Sequence, residues 1–263
     1  MGKVQQQEQI LYEKLQETGE VNLTQAKELL DVSESTIRRF FVNLEADGRA
    51  IRTCGGIRKN YIDSFTDYSF DKSESKNSDL KQIIAEFAID FIENNDTVYI
   101  DSGTTLSRFS KLLSENLEAN KISGLTVVTN SLSNLTILQK HSRIILIGGE
   151  FREQRRDFCG YLAEEMLKSL RFSKCFLGSD GYCPGFGFTT TDFDTARLNE
   201  IVLENSKQSF VLMDSSKFNS TAVVSYSKNR PVDVLITDSK PPASAAEQLN
   251  CQKTEIKICG KIS

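Results

Sequence analysis

The spacing of apolar residues changes character near residue 60. Before it the spacing is helical. Ala26, Leu29 and Leu30 form one short stripe, and Ile37, Phe40 or Phe41, and Leu44 form a second at i, i+3/i+4 and i+7. The pattern predicts two amphipathic helices, the first capped by Thr24 and the second by Ser33. Asp47-Gly48 ends the second, with Gly48 suited to a left-handed C′ position. An opening helix over residues 1–20, carrying Ile10, Leu11 and Leu15, completes a three-helix head. Residues 60–78 are polar without a sustained period and read as a linker, whose aromatics Tyr61, Phe65, Tyr68 and Phe70 are free to pack on a domain. From 79 onward, continuous apolar runs at 97–101, 125–129, 143–148, 174–178, 209–213, 233–237 and 255–259 alternate with helix-like segments. Those segments lie at 80–94, 104–116, 132–140, 160–170, 193–207 and 243–250. Such strands predict an α/β domain over 79–263 with a largely parallel sheet covered on both faces.

Two short helices joined by a tight turn, then a basic segment containing glycine, have the layout of a helix-turn-helix with a wing. That device places one helix in the DNA major groove. The head is therefore expected to be a small α+β winged helix over 1–59, with double-stranded DNA as its partner. Ser33, Ser35, Thr36, Arg38, Arg39 and Asn43 lie off the apolar stripe as candidate contacts, joined in the wing by Arg52, Gly55, Gly56 and Arg58. Charge supports this only locally. Between 38 and 59 six basic residues face two acidic ones, a balance of +4 in a chain whose net charge is −4. Attraction to phosphate is thus expected on one patch rather than over the whole surface. A helical hairpin with a solvated basic face is the bland alternative, and it requires cap, turn, stripe and wing to coincide by accident.

Hydrophobic content of 39% and a mean hydropathy of −0.33 fit a soluble globular chain. No apolar run approaches the roughly 18 residues of a membrane span. The six cysteines, at 54, 159, 175, 183, 251 and 259, have no C-x-x-C spacing, and His141 is the only histidine. This argues for reduced thiols in a cytoplasm and against a zinc site.

Ligands of parallel sheets sit at the carboxyl ends of the strands, so the loops there hold the candidate chemistry. Asp101-Ser102-Gly103-Thr104-Thr105 opens directly into a helix, where backbone N–H groups and threonine hydroxyls form a phosphate cradle. The following loops offer Thr129-Asn130, Gly148-Gly149, Asp180, Thr189 and Lys217. Lys217 can supply a cation to phosphate, and the aspartates can accept sugar hydroxyls. Each piece alone is weak, because a Gly-Thr-Thr helix start is often only a cap and a Gly-Gly pair is usually a turn. Their recurrence after successive strands is what points to a ligand.

The motifs VSESTIRR, LEADG and R-x-x-GG, then DSGTT at 101–105, VVTNS at 127–131, LIGGE at 146–150, FLGSDG at 176–181, GFT at 187–189 and DSSKF at 214–218, resemble the DeoR family of bacterial transcriptional regulators over nearly the whole chain. The resemblance implies a winged-helix head and a sensor domain like ribose-5-phosphate isomerase and CoA-transferases. It also implies a homo-oligomer, dimer or tetramer, that represses a sugar-catabolism operon, is released by a phosphorylated sugar and needs no cofactor. Three positions depart from the family pattern: Phe40 replaces an aspartate after Arg38-Arg39, Cys54 replaces a histidine before the wing glycines, and Asn199 replaces a basic residue, with Arg197 nearby. Two rivals are weighed against this. A sugar-phosphate isomerase needs a general base, and Asp101, Asp180 and Asp214 are not distinguished by context. A sugar kinase also opens with Asp-x-Gly-Thr-Thr, but it needs a hairpin where 104–116 reads as a helix, and two lobes where 79–263 is too short.

Overall fold

The computed structural model describes residues 3–47, 49–53, 55–59 and 68–260, so the expectations for Gly48 and Cys54 lie outside the described residues. The chain divides at residue 68 into two compact units.

The first unit runs α1 (Lys3–Thr18), β1 (Glu20–Asn22), α2 (Leu23–Leu29), α3 (Glu34–Ala46), β2 (Ala50–Thr53) and β3 (Gly56–Lys59). Its three strands form an antiparallel sheet in the order β1-β3-β2. Helix α2 is capped by Asn22 rather than by Thr24. The Asn22 side chain accepts the Gln25 N–H and the Gln25 side chain accepts the Asn22 N–H, closing a capping box. With the helix so placed, Ala26 and Leu30 share its inner face, and Leu29, expected in the core, is 39% exposed. Ser33 caps α3, and Ile37, Phe40, Phe41 and Leu44 are all buried against Leu11, Leu15, Val21 and Ile57. Phe40, at the position where the family pattern has an acid, is thus a core residue. Gly56 is required where β3 passes under β1, because a side chain there would strike the Val21 carbonyl.

The second unit begins with α4 (Phe70–Ser75) and α5 (Ser78–Ala88). The stretch read as a linker over 60–78 therefore ends earlier. Phe70 is buried, and its N–H donates to the Gln154 carbonyl at 3.0 Å, which ties residues from 68 onward to this unit. There follow β4 (Thr97–Ile100), α6 (Thr104–Glu118), β5 (Thr126–Thr129), α7 (Leu132–Leu138), β6 (Arg143–Leu146), β7 (Glu150–Arg152), β8 (Asp157–Cys159) and α8 (Tyr161–Lys168). The chain continues with β9 (Phe172–Leu177), β10 (Gly181–Cys183), β11 (Gly187–Thr190), α9 (Phe193–Asn205), β12 (Ser206–Leu212), β13 (Val224–Ser225), β14 (Val234–Thr237), α10 (Ala243–Cys251) and β15 (Glu255–Ile258).

The seven apolar runs become the seven strands of one parallel sheet, in the order β15-β14-β12-β9-β4-β5-β6. Strand alternation splits the apolar residues into two layers. Tyr99, Val128, Cys175 and Val211 pack with Leu167, Leu198 and Leu249 on one face, and Val98, Ile100, Phe176 and Phe210 pack with Ile84, Phe109 and Leu113 on the other. Two small additions were read as loops from the sequence: the β7–β8 hairpin and an antiparallel sheet β10-β11-β13. Each of their strands has four residues or fewer, too short to show a period. The strand order reverses between β4 and β9, which makes the carboxyl ends of those two strands the topological switch point. Among the described residues, no helix is long and apolar enough to cross a membrane.

Candidate ligand cleft and candidate nucleic-acid interface

In the first unit, α3 presents a polar face opposite its buried stripe. The Ser33 hydroxyl lies 2.9 Å from both the Ser35 and Thr36 hydroxyls, which orders the start of the helix. Arg38 is 66% exposed and leans back on Glu34 at 2.9 Å, while Arg39 is exposed without an acidic partner among the described residues. Asn43 donates to Glu8 at 2.9 Å, and Arg52 pairs with Glu45 at 3.5 Å. Exposed pairs of this kind are worth little, so Arg38 and Arg52 can exchange their partners for phosphate. Arg58 is exposed on β3. Gly55 and Gly56 shape the wing rather than offer side chains, for the Gly55 carbonyl accepts the Leu23 N–H at 2.9 Å.

In the second unit, a cavity of about 220 Å³ opens at the switch point. Asp101 to Thr105, Asp180 and Lys217 line it together. Gly103, at φ +117°, has open space where a side chain would project, and α6 begins there without a side-chain cap. The first N–H groups of a long helix are thus left for a ligand. Asp101 accepts the Ser102 N–H at 2.7 Å, the Gly178 N–H at 3.2 Å and the Asn199 amide at 3.4 Å. Burial pushes its carboxyl up to about 7, against those hydrogen bonds and with a further push from Asp157. Burial also works against ionisation of Asp180, but Lys217, the Thr191 N–H and Arg155 outweigh it and hold that carboxyl below the usual range.

Five expected residues lie outside the lining. The Thr129 hydroxyl donates to the Ile100 carbonyl at 2.6 Å, and Asn130 bridges Tyr99 and the Phe158 carbonyl at 3.1 Å each. Gly149 packs under the Cys159 carbonyl, and Gly148 precedes it away from the cavity. Thr189 is fully buried and its hydroxyl accepts the Ala222 N–H at 3.0 Å, so Thr190, on the opposite face of β11, lines the cavity instead. Thr129 to Gly149 follow strands on the far side of β4, away from the switch point.

The sequence reading missed Tyr68, Lys76, Asn77 and Lys81, which precede the first strand, and Arg155 in the β7–β8 turn. Lys81 had left a signal, since it shares the buried stripe of α5 with Ile84, Ala85 and Ala88. Its ammonium donates to the Ser73 carbonyl at 2.5 Å, and burial pulls it down to about 8, against the attraction of Asp214. Arg155 had no periodic signal. It stacks 4.5 Å over the Tyr68 ring and donates to the Thr191 hydroxyl at 3.0 Å. Behind the cleft, fully buried Asp157 accepts the Ser102 hydroxyl at 2.9 Å and pairs with Arg152, which also reaches Asp192 and Thr195. The cavity therefore carries four basic side chains, Lys76, Lys81, Arg155 and Lys217, against three acidic ones, Asp101, Asp180 and Asp214.

Comparison with known proteins agrees with this division. Residues 7–62 match the family described as DeoR-like helix-turn-helix domain, and residues 76–239 match the DeoR C terminal sensor domain. A lactose phosphotransferase system repressor of Staphylococcus epidermidis is 32% identical over 225 residues, covering 84% of this chain and 86% of the relative. The repressor of the same name from Streptococcus mutans is 34% identical over 224 residues, with the same coverage of 84% and 86%. Among solved structures, a D-ribose-5-phosphate isomerase in complex with phospho-erythronic acid aligns at a TM-score of 0.42 and 20% identity over 54% of each chain, too low to carry weight. With both units matched in order and repressors as relatives, the chain belongs to the DeoR family of transcriptional regulators and is a regulator rather than an enzyme.

Proposed function

We propose that the protein represses a sugar-catabolism operon and is released when a phosphorylated sugar occupies the cleft of its second unit. The observation that carries this reading is the meeting of an uncapped helix start, an open Gly103 and four basic side chains in one cavity that also holds three carboxylates. Phosphate suits the first group, and sugar hydroxyls suit Asp101 and Asp180. On the head, Thr36, Arg38 and Arg39 contact base edges or nearby phosphates, and Arg52 and Arg58 hold the backbone. The protein acts in the cytoplasm as a dimer or tetramer whose paired heads read symmetric half-sites. The ligand lowers DNA affinity by binding the released arrangement better than the bound one.

The test is fluorescence anisotropy of the pure protein on labelled DNA from its own upstream region, followed by titration with pentose and hexose phosphates. Salt-sensitive binding released by one phosphorylated sugar, and not by its unphosphorylated parent, supports the proposal. Binding that no sugar phosphate disturbs removes the sensor half of it, and absence of binding to upstream DNA counts against the head.

A further inference from the structure

Two surface helices of the second unit carry large apolar side chains on the side away from the core. On α8, Ala163 and Leu167 are buried, while Tyr161 is 71%, Leu162 66% and Met166 40% exposed. Leu162 and Met166 are four residues apart and so share one face of the helix. Helix α9 packs beside α8 and runs the same way, for Asp194 lies 3.6 Å from the Cys159 thiol and Arg197 lies 3.3 Å from Glu164. Phe193, 62% exposed and one turn before Arg197, is thereby set beside the start of α8. Helix α10 covers the same layer of the sheet and behaves as a plain surface helix. It buries Ala245 and Leu249 and turns Ser244, Glu247 and Asn250 to solvent.

Tyr161, Leu162, Met166 and Phe193 leave on the order of 500 Å² of largely apolar surface in water, near the upper end for the largest patch on a monomer. An interface of standard size takes about 800 Å² from each partner, and in homodimers about 65% of it is apolar. The patch supplies that share. Around it stand Glu164, Glu165, Asp194 and Glu200 together with Lys168 and Arg197. The two bases pair within the copy, Lys168 with Glu165 at 2.6 Å and Arg197 with Glu200 at 3.1 Å. Exposed pairs of this kind contribute little, so the bases are free to take acids of a second copy. A rim of both signs suits a copy of itself, whereas a rim of one sign suits a partner of opposite charge.

Resting on the oligomer reading above, we infer that the α8–α9 face is where two copies of this chain meet about a two-fold axis, with Tyr161 and Leu162 as its apolar anchors. Asp192, which caps α9 and pairs with Arg152, precedes Phe193 in the chain, so this face adjoins the ion pairs behind the cleft.

The experiment is sedimentation equilibrium of the full chain over a dilution series, with Leu162→Glu and Tyr161→Arg run beside it. Both positions are exposed, so neither substitution touches the chain's own core. Each change occurs twice in a two-fold interface and puts a charge into its apolar centre, so each should weaken self-association by about 100-fold or more. Hydrogen exchange of wild-type peptides covering Tyr161–Lys168 should slow by about tenfold as dilution is reversed and copies associate. Wild-type oligomers that both variants form equally well overturn this face and leave the oligomer reading standing. Protection of α8 that is the same in monomer and oligomer also overturns it, since something other than a second copy then covers the patch. A wild-type chain that is monomeric at every concentration removes the oligomer reading and this inference with it. The wild-type exchange measurement needs no substitution, so it decides the matter even where a variant misfolds.

Discussion

Asp101 is the residue on which folding and ligand chemistry meet. Its carboxyl rises from an ordinary value of 3.8 to about 7 because it is buried, and Asn199 offers an amide where a cation would have lowered it. Between those values the unfolded chain is ionised and the folded one still holds its proton. The folded state therefore binds more protons, and stability falls as pH rises from about 4 to 7, then levels off. At about 1.4 kcal/mol per pH unit the loss is on the order of 4 kcal/mol. Asp101→Asn should flatten that slope in a thermal scan of the sensor unit across this range. An unchanged slope would place the titrating group elsewhere. On the head, Arg38→Ala should weaken operator binding by about 1–3 kcal/mol if it reads a base. It should leave sugar-phosphate binding intact, and Lys217→Ala should do the reverse. A variant that loses both functions equally would end that division of labour.

Helix α3 shows how an element divides its residues between packing and reading. Its cap and apolar stripe are local properties, so Ser33, Ile37 and Leu44 were legible from spacing alone, while spacing offered Phe40 or Phe41 and the packed head buries both. The neighbouring α2 was less so. Thr24 and Asn22 are both good caps, and Leu29 and Leu30 both suit a stripe, so only packing decided that Asn22 caps and Leu30 turns inward. Because Phe40 is fully buried, Phe40→Ala should cost about 3–5 kcal/mol of head stability. Urea unfolding followed by a probe in the head should register the loss, while the sensor unit's transition stays in place. Phe40→Asp, which restores the residue of the family pattern, should cost more than alanine, since it buries a charge without a partner. Equal stability of the aspartate variant would mean that the side chain at 40 can turn to solvent.

At the scale of the whole molecule, charge is divided as unevenly as function: a net −4 chain carries +4 between residues 38 and 59. DNA affinity should therefore fall steeply with salt, and each wing or α3 arginine replaced by alanine should reduce the log–log slope by about 1 if it contacts phosphate. A slope unaffected by Arg39→Ala and Arg58→Ala together would move the interface off this face. Sequence alone determined the head, the seven strands, the helices between them and the helix start after Asp101–Gly103, because each rests on periodicity or turn residues within a few positions. The tertiary structure decided which strand ends meet. Strand order put β9 beside β4, so Asp180 and Lys217 joined Asp101, whereas Thr129, Asn130, Gly148 and Gly149 followed strands on the other side and became braces. It also decided that Lys81 and Arg155 face the same cavity, one from a helix before the sheet and one from the separate β7–β8 hairpin. Such long-range neighbours leave no mark in local spacing, because the sequence separation between them carries no information about the path of the chain.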